Sequence, residues 1–172
     1  MQRSNINPVL SLIAPLIAIL CVAQVSAEII TINDIVLDGF QPAPPTGSLA
    51  TGLASMTINT DTRDITIAGV FAGLEGDVIF GHLHGPAGFG MSSNLIILPL
   101  LIEGDFMRSG TFSATQRVSP FQLNVILDSR SYINIHSVAH PGGEIRGQIV
   151  IPAPSGLGLL AIGGLIAMRR KR

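Results

Sequence analysis

Between residues 28 and 151 the apolar positions recur every second residue in short runs, and almost nowhere with the 3.6-residue spacing of an amphipathic helix. Gly, Pro, Asn and Asp punctuate these runs. The pattern predicts strands over Ile29–Leu37, Ser48–Asn59, Asp64–Phe71, Val78–His84, Leu95–Leu100, Gly110–Thr115, Tyr132–Ser137 and Glu144–Ile149. The stretch Asn59-Thr60-Asp61-Thr62-Arg63-Asp64 reads as a hairpin turn, and Gln41 to Gly47, rich in proline, as a loop. One helix is expected, over Pro120 to Ser129, although its apolar residues form no clean stripe. Seven to eight strands at this spacing predict an all-β domain, a Greek-key β-sandwich or barrel.

The pattern changes at both ends. Residues Pro8 to Val25 are almost wholly apolar, follow Arg3, and lead into the small-residue run Val25-Ser26-Ala27. Such a run predicts a secretory signal peptide over 1–27, cut after Ala27. At the other end Pro152-Ala153-Pro154 precedes an apolar run from Gly156 to Met168 and the basic tail Arg169-Arg170-Lys171-Arg172. A helix of that length reaches about 20 Å, short of the ~30 Å hydrocarbon core, and its basic end suits the cytoplasmic face. Both termini are thus expected to be apolar helices, with one domain over 28–151 between them. The three-part layout of 152–172 resembles the PEP-CTERM sorting signal of Gram-negative bacteria that make extracellular matrix, with Ala153 where that family usually has Glu. The resemblance implies processing by an exosortase-type enzyme, membrane attachment through the terminal helix before processing, and a final place at the cell surface or in the matrix. A plain tail anchor is the alternative.

Composition follows from this layout. The 172 residues are 47% hydrophobic and only 12% charged, with mean hydropathy +0.53, largely because the two ends are apolar. Half of the ten Lys and Arg residues lie in those ends, whereas all eleven acids fall between Glu28 and Glu144. The interior is acidic and free of lysine, so it offers no basic surface for releasing phosphate counterions, and a general nucleic-acid-binding role is disfavoured. The single cysteine, Cys21, sits inside the signal segment, so the domain is expected to stand without a disulfide.

The four histidines form two groups, Gly81-His82-Leu83-His84-Gly85-Pro86 and Ile135-His136-Ser137-Val138-Ala139-His140. In a strand, residues two apart share a face, so His82 and His84 can turn their rings toward one ion while Leu83 enters the core. Tyr132, Asn134 and His136 likewise share one face of their strand, and Ile133 and Ile135 the other. His82, His84 and His136 are the candidate metal ligands, with His140 as an outer candidate. Packed or hydrogen-bonded histidines at strand ends explain the same pattern without a metal.

Two segments carry a family resemblance. Gly73-Leu74-Glu75-Gly76-Asp77 with Gly81-His82-Leu83-His84-Gly85-Pro86-Ala87, and Tyr132-Ile133-Asn134-Ile135-His136 with Pro141-Gly142-Gly143-Glu144-Ile145-Arg146-Gly147-Gln148-Ile149, look like the CHRD domain. That domain is named for chordin, an inhibitor of bone morphogenetic proteins, and occurs in many bacterial secreted proteins. The likeness runs from about Ser48 to Ile149 and implies an extracellular all-β domain, immunoglobulin-like or superoxide-dismutase-like in form. The same residues are distantly similar to copper/zinc superoxide dismutase. That likeness would place His82, His84 and His136 on copper-ligand positions and Arg146 on the arginine that guides the anion. The metal-bridging histidine, the zinc loop and the disulfide of that family have no counterpart here.

Glu144 and Arg146, two apart, are expected to form an exposed ion pair on one strand face. No G-x-S-x-G elbow and no phosphate-cradling glycine loop occurs, so hydrolase and nucleotide-binding chemistry have no support and catalysis is not the favoured role. Two readings follow: a binding or structural module of the envelope or matrix, with a protein or polysaccharide partner, or a copper-binding, redox-active domain. N-terminal sequencing of the protein from its native cell is expected to find Glu28 first, and Met1 to Ala27 still attached would refute the signal peptide.

Overall fold

The computed structural model describes residues 28–104 and 108–152. Eight strands form there: β1 Ile29–Asp38, β2 Thr51–Asn59, β3 Asp64–Ala72, β4 Val78–His84, β5 Ile96–Glu103, β6 Gly110–Arg117, β7 Ser131–Ser137 and β8 Ile145–Ile149. One helix, α1, spans Pro120–Leu127 between β6 and β7. All eight strands and the helix stand where the sequence pattern places them, with shifts at the ends. The signal segment and the apolar C-terminal run, including Ala153 and Pro154, lie outside the described residues. Among the described residues no helix is long and apolar enough to cross a membrane.

The strands close into one antiparallel barrel in the order β1-β2-β3-β6-β5-β4-β7-β8. The connections from β3 to β4 and from β6 to β7 pass over intervening strands, as in a Greek key. Closure leaves no long unpaired sheet edge. Inward positions are filled mostly by isoleucine: Ile58, Ile65, Ile67, Ile133, Ile135, Ile145 and Ile149 are fully buried, with Leu37, Met56 and Phe112 among them.

Two local devices make this packing possible. In β1 the register against β2 slips between Ile32 and Ile35, where Asp34 takes a positive φ of 57°. This bulge resets the pleat, so Ile32 and then Ile35 and Leu37 all face inward although their spacing is not uniformly even. In α1 a full capping box forms: the Ser119 side chain accepts from the Gln122 backbone N–H, while the Gln122 side chain accepts from that of Ser119. Its buried residues Leu123, Val125 and Ile126 join the barrel core.

With the interior full, the outward faces of β4, β7 and β8 carry the polar residues, and loops fold over them. The loop after β4 is held down by Arg146 and Gln148, which donate to the carbonyls of Gly88 and Ala87. The loop after β1 is tied on by Gln41, whose side-chain carbonyl accepts from the Gln148 backbone N–H. Removing the fully buried Ile133 side chain beyond Cβ opens a void in the barrel centre. Ile133→Ala is therefore expected to cost ~2–5 kcal/mol in urea unfolding, whereas Leu49→Ala, at a side chain 87% exposed, is expected to cost less than about 0.5 kcal/mol.

Candidate metal centre

Antiparallel pairing of β4 with β7 sets His82 opposite Asn134, His84 opposite Tyr132 and Phe80 opposite His136. His136 thus stands diagonally from His82, a separation that long side chains bridge. The three rings meet: centroids are 5.3 Å apart for His82 and His84, 5.3 Å for His82 and His136, and 5.9 Å for His84 and His136. One nitrogen from each ring can be chosen so that all three lie within 4.8 Å of one another. Some point then lies within about 2.8 Å of all three, and sub-ångström ring movements bring that to the ~2.0 Å of a metal–imidazole bond. Leu83 between them is fully buried in the core.

Three nitrogens of the cluster, Nδ1 of His82 and both nitrogens of His84, are buried and have no hydrogen-bond partner. Buried polar atoms nearly always find one, so an unpartnered nitrogen on each of His82 and His84 fits a lone pair left for a cation. His136 differs. Its Nδ1 lies 2.9 Å from the carbonyl of Pro141, and a carbonyl only accepts, so Nδ1 carries the proton. This leaves the Nε2 lone pair for the cluster side, the usual arrangement of a metal-binding histidine with a backbone acceptor behind it.

Aromatic rings border the cluster. Phe80 packs 5.1 Å from His82 and 4.9 Å from His136, and Tyr132 stacks on His84 at 5.4 Å. The guanidinium of Arg146 lies 3.7 Å from the centre of the Tyr132 ring. Burial pushes the pKa of all three histidines down, and for His84, where neighbouring His82 and His136 add to the effect, to about 4. All three imidazoles are accordingly neutral at pH 7 and able to donate lone pairs.

Two expectations need correction. His140 does not join the cluster: its Nε2 sits 2.8 Å from the Glu75 carboxylate, on the loop between β7 and β8. Glu144 and Arg146 form no ion pair and are both buried. Glu144 precedes β8, so strand alternation does not govern it, and its carboxylate accepts from the hydroxyls of Ser48 and Ser137 and from the Glu75 backbone N–H. Arg146 lies on the outward face of β8 and donates to the carbonyls of Gly88 and Met91 and to Gln148 Oε1.

Pattern reading also missed Phe80, the Pro141 carbonyl and Gln148. For Gln148 a signal existed, because it lies two residues beyond Arg146 and so on the same outward face. Beside the cluster lies a cavity of about 330 Å³, lined by Tyr132, Asn134, His140, Arg146 and the loop prolines.

The fold and this face define a small all-β barrel that carries its chemistry on the outside, beneath its loops, with imidazoles gathered on two adjacent strands. The model of the CHRD domain matches residues 34–149, and the chain belongs to that family. No curated protein and no solved structure matches it in the corresponding comparisons.

The lowered His84 pKa couples stability to pH. Between about 6.5, its ordinary value, and about 4, its folded value, the unfolded chain binds more protons than the folded one. Stability fully present above pH 6.5 is therefore lost as pH falls toward 4, and urea midpoints of the metal-free protein are expected to drop across that window. His84→Gln should flatten the profile, and an unchanged slope in that variant would assign the effect elsewhere.

Proposed function

We propose that this CHRD-domain protein is an exported surface or matrix module that holds one copper ion through His82, His84 and His136. The observation that carries the reading is the convergence of three neutral imidazoles, among which His82 and His84 keep buried nitrogens without a protein partner. Copper is preferred over other divalent first-row metals because nitrogen-rich sites follow the Irving–Williams order, which peaks at Cu²⁺. Copper held by three imidazoles would supply binding of an external ligand or electron exchange. The chain's own part is to hold the rings. Leu83 anchors the strand between His82 and His84, Pro141 sets the His136 tautomer, and Phe80 and Tyr132 pack against the rings.

Export rests on the apolar segment ending at Ala27, and a surface or matrix location in a Gram-negative bacterium on the sorting-signal layout at 152–172, which implies an exosortase-type enzyme and transient membrane attachment. A binding-module role, toward an envelope protein or polysaccharide, is favoured by a second observation. The loops after β1 and β4 form an uncharged groove in which Phe40 and Phe89 are each 69% exposed, an unusual display on a small soluble domain.

Copper titration with elemental analysis tests the site. Wild-type protein is expected to take up one Cu²⁺ per chain, and His82→Ala/His84→Ala/His136→Ala to lose at least ~100-fold in affinity, since no ligand of the set remains. Equal uptake by both proteins would remove the copper reading and leave the module.

A further inference from the structure

The Nε2 lone pair of His136, the atom that the Pro141 carbonyl turns toward the cluster, already has a partner. Asn134 Nδ2 stands 3.2 Å away and is also 3.3 Å from the Gly142 carbonyl oxygen. Both neighbours accept, so the amide must present its nitrogen to them. Each of its two N–H bonds then has an acceptor, and the Oδ1 atom is left buried without a partner. The amide has little room to move aside on the loop side. A Cβ built on Gly143 would come within 2.3 Å of both Oδ1 and Nδ2, so the glycine backbone lies directly against it.

We propose that Asn134 is an affinity-setting latch: it caps His136 Nε2 in the metal-free protein and must release it before a cation can be held. The proposal rests on the three-histidine reading and adds a residue that opposes binding. A metal and an N–H donor compete for one lone pair, and when the metal wins the amide proton gives up its bond to His136 Nε2. The cost of losing that bond is charged against metal affinity. Asn134 also lines the cavity beside the cluster, so the released amide has one open direction, toward that space.

Asn134→Ala and Asn134→Leu test the latch, with apo melting curves to establish that each folds. Cu²⁺ affinity, measured by titration against a competing chelator, is expected to rise about five- to tenfold in both, the worth of one lost hydrogen-bond competitor. Unchanged affinity would overturn the latch while leaving the copper site standing, and weakened affinity would overturn it by making Asn134 a ligand. A second measurement uses the unaltered protein: on titration with diamagnetic Zn²⁺, the Asn134 side-chain NH₂ resonances should move as the bond to His136 breaks. Side-chain resonances that stay put while the histidine signals shift would overturn the latch. If wild-type protein binds neither Cu²⁺ nor Zn²⁺, the three-histidine reading itself falls, and the latch falls with it.

Discussion

The barrel interior is filled by branched aliphatic side chains, and this decides where everything else can go. Ile133, Ile135, Ile145 and Ile149 occupy the inward positions of β7 and β8 without exposure. Strand alternation then sends Tyr132, Asn134, His136, Arg146 and Gln148 outward. An outward polar face would ordinarily be wet. Here the loops after β1, β4 and β7 fold over it, and the result is a second, polar layer pressed between the barrel wall and its loops.

That layer is held by hydrogen bonds to backbone carbonyls and by one buried carboxylate. Glu144 gathers Ser48, Ser137 and the Glu75 amide from three separate segments, so the approach to β2, the approach to β4 and the turn before β8 share one anchor. Its oxygens are met by two hydroxyls and a backbone N–H, a buried network that makes each partner costly to remove. The turn it secures, continuing through His140 and Pro141, carries the carbonyl that orients His136. Packing of the loops and readiness of the imidazoles are therefore the same structural fact.

Much of this was legible in the sequence. Period-two runs located every strand, and H-x-H spacing put His82 and His84 on one face, because alternation is a local property. The same rule set Tyr132, Asn134 and His136 together. What escaped depends on loop paths and on the third dimension. The pattern puts Glu144 on a strand face it does not occupy, since β8 begins one residue later. Proximity in sequence groups His140 with His136, whereas its loop turns toward Glu75. The start of β2 moved from Ser48 to Thr51 because Ser48 is held by Glu144 from across the chain. The bulge at Asp34 left no trace in composition, because a single extra residue in a run of isoleucines disturbs the alternation only when the partner strand is known.

Tyr132 is the only tyrosine of the chain, and there is no tryptophan. Its ring lies between the guanidinium of Arg146 and the imidazole of His84, so the near-ultraviolet emission of the protein originates in contact with the histidine cluster. The molecule therefore carries an internal reporter that needs no label. A change at His84 alters the surroundings of a single chromophore, against a background supplied by phenylalanine alone.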